Sequence, residues 1–247
     1  MKLVAIIAFL LIWEIAAIMD LINPVLIPPP SRIVVKLLEL LLSGELLTHI
    51  STSMERVLIG FGLAVMVALP LGFLLGGWFR TFETVMDPLF QVMGQANPFT
   101  LFPVFIALLG IGEISKIAII FWVCQWPILF NTVSGIRNVD PLLIKVARST
   151  ELGKSDMFMK VLVPASLPSI FTGIRMSAGF SLFMLIGAEM IGSQSGLGFM
   201  IIQSQATFQM TKMFAGIVTV ALLGLLINYI MISLEKKAMK WKEEIAI

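Results

Sequence analysis

The chain has 247 residues, 58% of them hydrophobic and only 13% charged, with a formal net charge of +2 and a mean hydropathy of +1.00. Soluble domains run at roughly 45 to 50% apolar and about 25% charged residues, so this composition excludes a soluble globule and indicates a polytopic membrane protein. The small net charge argues against a nucleic-acid partner. A single cysteine and a single histidine leave neither a disulfide framework nor a metal cluster to be built from these residues.

A bilayer core about 30 Å thick needs about 20 apolar residues per helix. Six stretches meet that requirement: 3–22, 57–79, 85–109, 116–135, 168–191 and 213–234. The first has no small-residue cleavage site and is read as a retained span. It carries Glu14. Next, "LIPPPSRIVVKLLELLLSGELL" predicts a stiff proline segment and a short helix capped by Ser31 and ended by Ser43-Gly44. Arg32, Lys36 and Glu39 mark its wet side, and it is too short to span, so it is placed flat on the outer surface, where packing against its own protein and packing against lipid both stay open.

The second span holds Gly72 and Gly76, four residues apart, which allows another helix to approach closely. The third places Gln91, Gln95 and Asn97 at membrane depth beside Pro88, Pro98 and Pro103. Unpaired polar groups in hydrocarbon cost several kcal/mol each, so such a broken helix belongs against protein or along a water-filled cavity. The fourth adds Gln125 and Asn131, and the fifth adds Glu189. Intramembrane carboxylates are functional candidates by default. Glu14 and Glu189 nevertheless lie within a turn or two of span ends, where interfacial water or a neighbouring donor would equally account for them. Gln95, Asn97, Gln125, Asn131 and Glu189 are the candidates for lining a translocation path.

Between the fourth and fifth spans, residues 137–167 form a polar, helix-capable block. Asp140-Pro141 starts one helix, Ser155 and Asp156 cap a second, Pro164 stops it, and Ser166 with Pro168 begins the fifth span. The excess of Lys and Arg on this side of the membrane makes the block, and both chain termini, cytoplasmic. Gly153-Lys154-Ser155 imitates the end of a phosphate-binding loop, but the required earlier glycine is Arg148 and no strand precedes it. No Ser/His/Asp or Cys/His set is available, so no catalytic residue is assigned and the chain is not read as an enzyme.

The block resembles the cytoplasmic coupling loop of permease subunits of binding-protein-dependent ABC importers. The segments "LIPPPSRIV", "SGELLTHISTSMERVLIGF", "FPVFIALLGIGEISKIAII", "PILFNTVSGIRNVDP", "VPASLPSIFTGIRMSAGF" and "AEMIGSQSGLGFMI" resemble the nitrate, sulfonate and taurine branch, in the same order. The resemblance implies an all-α integral membrane fold: a six-transmembrane-helix permease of the type I importer kind, one domain over residues 1–247 with cytoplasmic coupling helices in the inner (plasma) membrane. It implies an ATPase-docking surface at Lys145, Val146, Ala147, Arg148, Glu151, Leu152, Gly153, Phe158, Val161 and Pro164. The family's leading glutamate falls on Lys145 and its glycine on Glu151, with Gly153 two residues late. The implied partners are an ABC ATPase subunit carrying ATP and magnesium, an external substrate-binding protein, a second copy of the permease, and membrane lipid. No cofactor is expected on this chain itself. The branch moves small oxyanions such as nitrate, sulfonates and taurine, while relatives carry uncharged vitamin precursors. A stand-alone ion-coupled carrier using Glu189 or Glu14 is the alternative from another class.

Overall fold

The computed structural model describes residues 2–149 and 153–239. Among these, all regular structure is helical. The chain divides into two compact units, one built from residues up to Arg56 together with Leu185–Leu223, the other from Val57–Met184 together with Gly224 onward.

In the first unit, α1 (Lys2–Ile18) is an apolar helix of 17 residues, about 25 Å long at 1.5 Å per residue. Helix α2 (Pro30–Leu42) starts with proline at its first position, where the missing N–H costs no hydrogen bond. Its Ile33 and Leu40 pack into a core with Leu46 of α3 (Glu45–Phe73), Leu197 and Met200 of α10 (Leu197–Ala206), and Ala215 of α11 (Met210–Ala238). Of the two packings left open for this helix, one side takes that against its own protein, and Pro29 rather than Ser31 occupies its cap position. Helix α10, between the fifth and sixth expected spans, has no counterpart in the sequence reading.

Helix α3 belongs to the first unit up to Arg56 and to the second from Val57, and it continues as a π-turn, Leu74–Trp78. The whole segment Glu45–Trp78 is 34 residues long, so helix begins twelve residues before the expected span. Gly72 and Gly76 act as their spacing predicts. A Cβ on Gly72 would stand 2.6 Å from Cβ of Thr132 in α6 (Glu113–Arg137), and one on Gly76 would stand 3.2 Å from Cβ of Ile136. Only glycine lets these two helices approach that closely.

The expected third span is two helices, α4 (Arg80–Gln95) and α5 (Pro98–Leu109), bent by 90°. Pro98 forces its predecessor out of the helical region, and Asn97 is extended at φ −63° and ψ 117°. The block at 137–167 contains α7 (Pro141–Ser149), where Asp140 Oδ1 accepts from Leu142 N at 2.8 Å as the cap pattern predicts. From α8 (Lys154–Met157) the helix runs on through a second π-turn, Phe158–Leu162, into α9 (Val163–Gly192). Pro164 does not stop it, and Pro168 lies inside it. A proline withholds one backbone donor and crowds the preceding turn, and the wider π-turn just before Pro164 makes room for that defect without breaking the helix.

Candidate translocation path and coupling block

Along α4 of the second unit, Glu83, Asp87, Gln91 and Gln95 recur every four residues, a spacing that keeps them near one face. That face lines a cavity of about 510 Å³, closed on the other side by Phe130, Ser134 and Arg137 of α6. Gln91 Nε2 donates to Asp87 Oδ2 at 2.7 Å. Arg137 pairs with the buried Glu83 and donates to Thr84 Oγ1 at 3.2 Å. Arg137 is thus the one cation lining this cavity among the described residues, and it is already paired.

A second cavity of about 420 Å³ shares Gly94, Gln95 and Phe130 with the first. Its wall is aromatic. Trp122 and Trp126 stand edge to face at 5.3 Å, and Trp126 stacks on Phe130 at 5.9 Å. Gln95 and Asn131 both line it, so the structure brings these two expected path residues together. Asn131 Nδ2 donates to the Pro127 carbonyl at 2.8 Å. Polarity therefore changes along the strip, from acid and amide groups to an amide-bearing aromatic box.

The other three path candidates are placed elsewhere. Asn97 accepts from Phe99 N at 2.9 Å and caps α5. Gln125 lines neither cavity. Glu189, fully buried, belongs to a network in the first unit. Arg56 Nη1 reaches Glu189 Oε1 at 2.6 Å and the Ser195 carbonyl at 2.9 Å. The Ser53 hydroxyl donates to the same carboxylate at 2.8 Å and accepts from Leu197 N at 2.9 Å, while Gly198 N donates to Oε2 at 2.9 Å. His49 Nδ1 accepts from Gly196 N at 3.1 Å. His49, Ser53 and Arg56 lie four and three residues apart, on one face of α3, and all three grip the segment from Glu189 to Gly198. Glu189 is a structural anchor here rather than a lining group.

Glu14 is likewise engaged, accepting from Ser31 N at 3.0 Å and Ser31 Oγ at 2.7 Å. It satisfies the start of α2 with negative charge where the helix dipole favours it. An ion-coupled carrier would need one of these carboxylates to bind and release an ion, and both hold donors of their own unit.

On the polar block between α6 and α9, Lys145, Val146 and Gly153 are exposed, whereas Ala147 is buried. Glu151 and Leu152 lie outside the described residues, as does the side chain of Arg148. Val161 and Pro164 are half-buried. Phe158 is half-buried as well, its ring standing 4.4 Å from Trp78 and 5.6 Å from Phe73 between centroids. Leu142 and Leu143, 64% and 48% exposed, join Val146 at 56% to make an apolar face on α7. The sequence reading missed both leucines, although their spacing to Val146 was available. It also missed Glu83 and Asp87, which the four-residue rhythm to Gln91 and Gln95 would have revealed.

Residues 68–240 match the family model described as "Binding-protein-dependent transport system inner membrane component". The putative aliphatic sulfonates transport permease protein of Bacillus subtilis is 38% identical over 231 residues, 94% of this chain and 83% of that relative. The taurine transport system permease protein of Escherichia coli is 29% identical over 242 residues, 96% and 87% of the respective chains. An inward-facing structure of the MetNI methionine ABC transporter superposes with a TM-score of 0.65 at 16% identity, covering 78% of this chain and 95% of that one.

Proposed function

This chain belongs to the inner-membrane components of binding-protein-dependent transport systems, the permease subunits of ABC importers, and on that premise we propose that two copies form one solute path. A separate ATPase subunit sits on the α7–α8 block of each copy, binds ATP and magnesium, and carries out hydrolysis. An external binding protein delivers a small solute of the kind named for the relatives, an aliphatic sulfonate or taurine. The chain crosses the inner membrane six times, with both termini in the cytoplasm and the bent pair α4–α5 as one crossing. Closure of the ATPases moves the cytoplasmic blocks and switches access to the path from one side to the other.

The observation that carries this proposal is the exposed apolar face Leu142, Leu143 and Val146, displayed on a nine-residue helix that also carries Lys145 and Arg148. Large apolar side chains grouped on a wet surface mark a docking site. The cavity chemistry supports selection by the external protein: an anion-selective path would show an unpaired Arg or Lys, and Arg137 is paired. An uncharged solute suits the aromatic box equally well, which is the specific support for a neutral vitamin precursor as the second substrate class.

The test is co-purification of the chain with its ATPase from native membranes. Val146→Asp is expected to abolish association and uptake while leaving membrane insertion intact; normal association would remove the docking assignment. Gln95→Leu is expected to change uptake with assembly unaltered. A Gln95→Leu protein that fails to assemble would make that amide structural.

A further inference from the structure

Two π-turns meet through one side chain. Leu74–Trp78 ends α3 and Phe158–Leu162 leads into α9, and such turns are rare and frequent at functional sites. Phe158 stands edge-on to Phe73 and close to Trp78. A Cβ on Gly77 would lie 3.4 Å from the Phe158 ring, so the ring rests on the π-turn's backbone as well as on its side chains. The same turn is packed on its other side against α6 through Gly76 on Val133 and Ile136, just after Gly72 of α3 packs on Thr132. Leu75 of the turn, with Val133 and Arg137 of α6, forms the wall of the polar cavity. A contiguous packed route therefore joins Phe158 of the cytoplasmic block to the cavity.

We propose that Phe158 is a coupling wedge, a positioning residue that transmits displacement of the α7–α8 block to the Leu74–Trp78 turn and so to the cavity wall. It contacts neither the ATPase nor the solute. This inference rests on the docking of an ATPase at the α7–α8 block. Close-packed contacts transmit displacement because they cannot be compressed, and losing the ring would leave a gap that absorbs the motion. ATP turnover would then continue without moving the cavity wall.

The experiment uses the assembled permease–ATPase complex in lipid vesicles, with Phe158→Ala, Trp78→Ala and the conservative Trp78→Phe, and aliphatic sulfonate with its binding protein as the probe. Both alanine variants are expected to retain the ATPase at wild-type stoichiometry and to hydrolyse ATP, while solute moved per ATP falls roughly tenfold. Trp78→Phe is expected to restore most of that ratio, which a merely structural role for Trp78 would not predict. Trp78 is 56% exposed, so its truncation leaves the fold intact and decides the matter even if Phe158→Ala does not assemble. An unchanged ratio in Trp78→Ala would overturn the wedge. Loss of the ATPase in Phe158→Ala alone would assign Phe158 to the docking contact and overturn it too. A wild-type chain that retains no ATPase would overturn the docking premise instead, a result separable from the other two.

Discussion

Each of the two units contains a buried carboxylate paired with arginine, and the two sites differ in what else surrounds them. In the first unit Glu189 receives Arg56, Ser53 and the Gly198 N–H, and neither Glu189 nor Arg56 has meaningful solvent exposure. In the second, Glu83 is buried but Arg137 is 28% exposed along its side chain and faces a cavity. The contrast teaches that depth in the membrane does not by itself make a carboxylate functional. A saturated pair with no free volume fixes backbone, whereas a pair at a cavity wall can exchange partners with water or solute.

The largest effect is expected from Arg56→Met. Removing one partner of a buried pair leaves an uncompensated charge, a cost of about 3 to 5 kcal/mol, so folded yield and detergent melting temperature should fall sharply, with little protein left for transport assays. Retention of normal stability would show that the network is not an anchor. Gly196→Ala comes next. Gly196 has φ +113°, and a Cβ there would sit 2.2 Å from Glu189 Oε1. Steric conflict and left-handed strain together should destabilise by about 2 to 3 kcal/mol, measured by the same melt. A silent Gly196→Ala would mean that the loop moves away freely.

The second unit should behave differently. Arg137→Gln is expected to lower stability by no more than about 1 to 2 kcal/mol, because cavity water can solvate Glu83, while uptake per complex drops several-fold. Equal loss of stability in Arg137→Gln and Arg56→Met would erase the distinction between the sites. The smallest effects belong to the caps. Asn97→Ala and Glu14→Gln should each cost about 1 kcal/mol or less of thermal stability, with transport retained. Abolished uptake by stable Glu14→Gln protein would revive a direct ion role for that carboxylate.

Much of the fold was legible before any coordinates, because transfer of a helix into lipid is a sum over residues adjacent in the chain. Composition indicated a membrane protein, proline and amides marked the break before α5, Asp140-Pro141 marked the start of α7, and Gly72 with Gly76 marked a close helix crossing. Gln95 and Asn131, singled out as amides at depth, both line one cavity. Tertiary structure alone decided which polar groups were engaged, since their partners lie far away in sequence: Arg56 and Glu189 are 133 residues apart, and Arg137 meets Glu83 only because α4 folds back on α6. It also decided that Phe158 packs against Phe73 and Trp78 and that helix persists through Pro164 and Pro168. Local rules state that a polar group must be satisfied and that a proline must be accommodated. Which neighbour does so is set by packing between distant segments, and no local window of sequence contains that information.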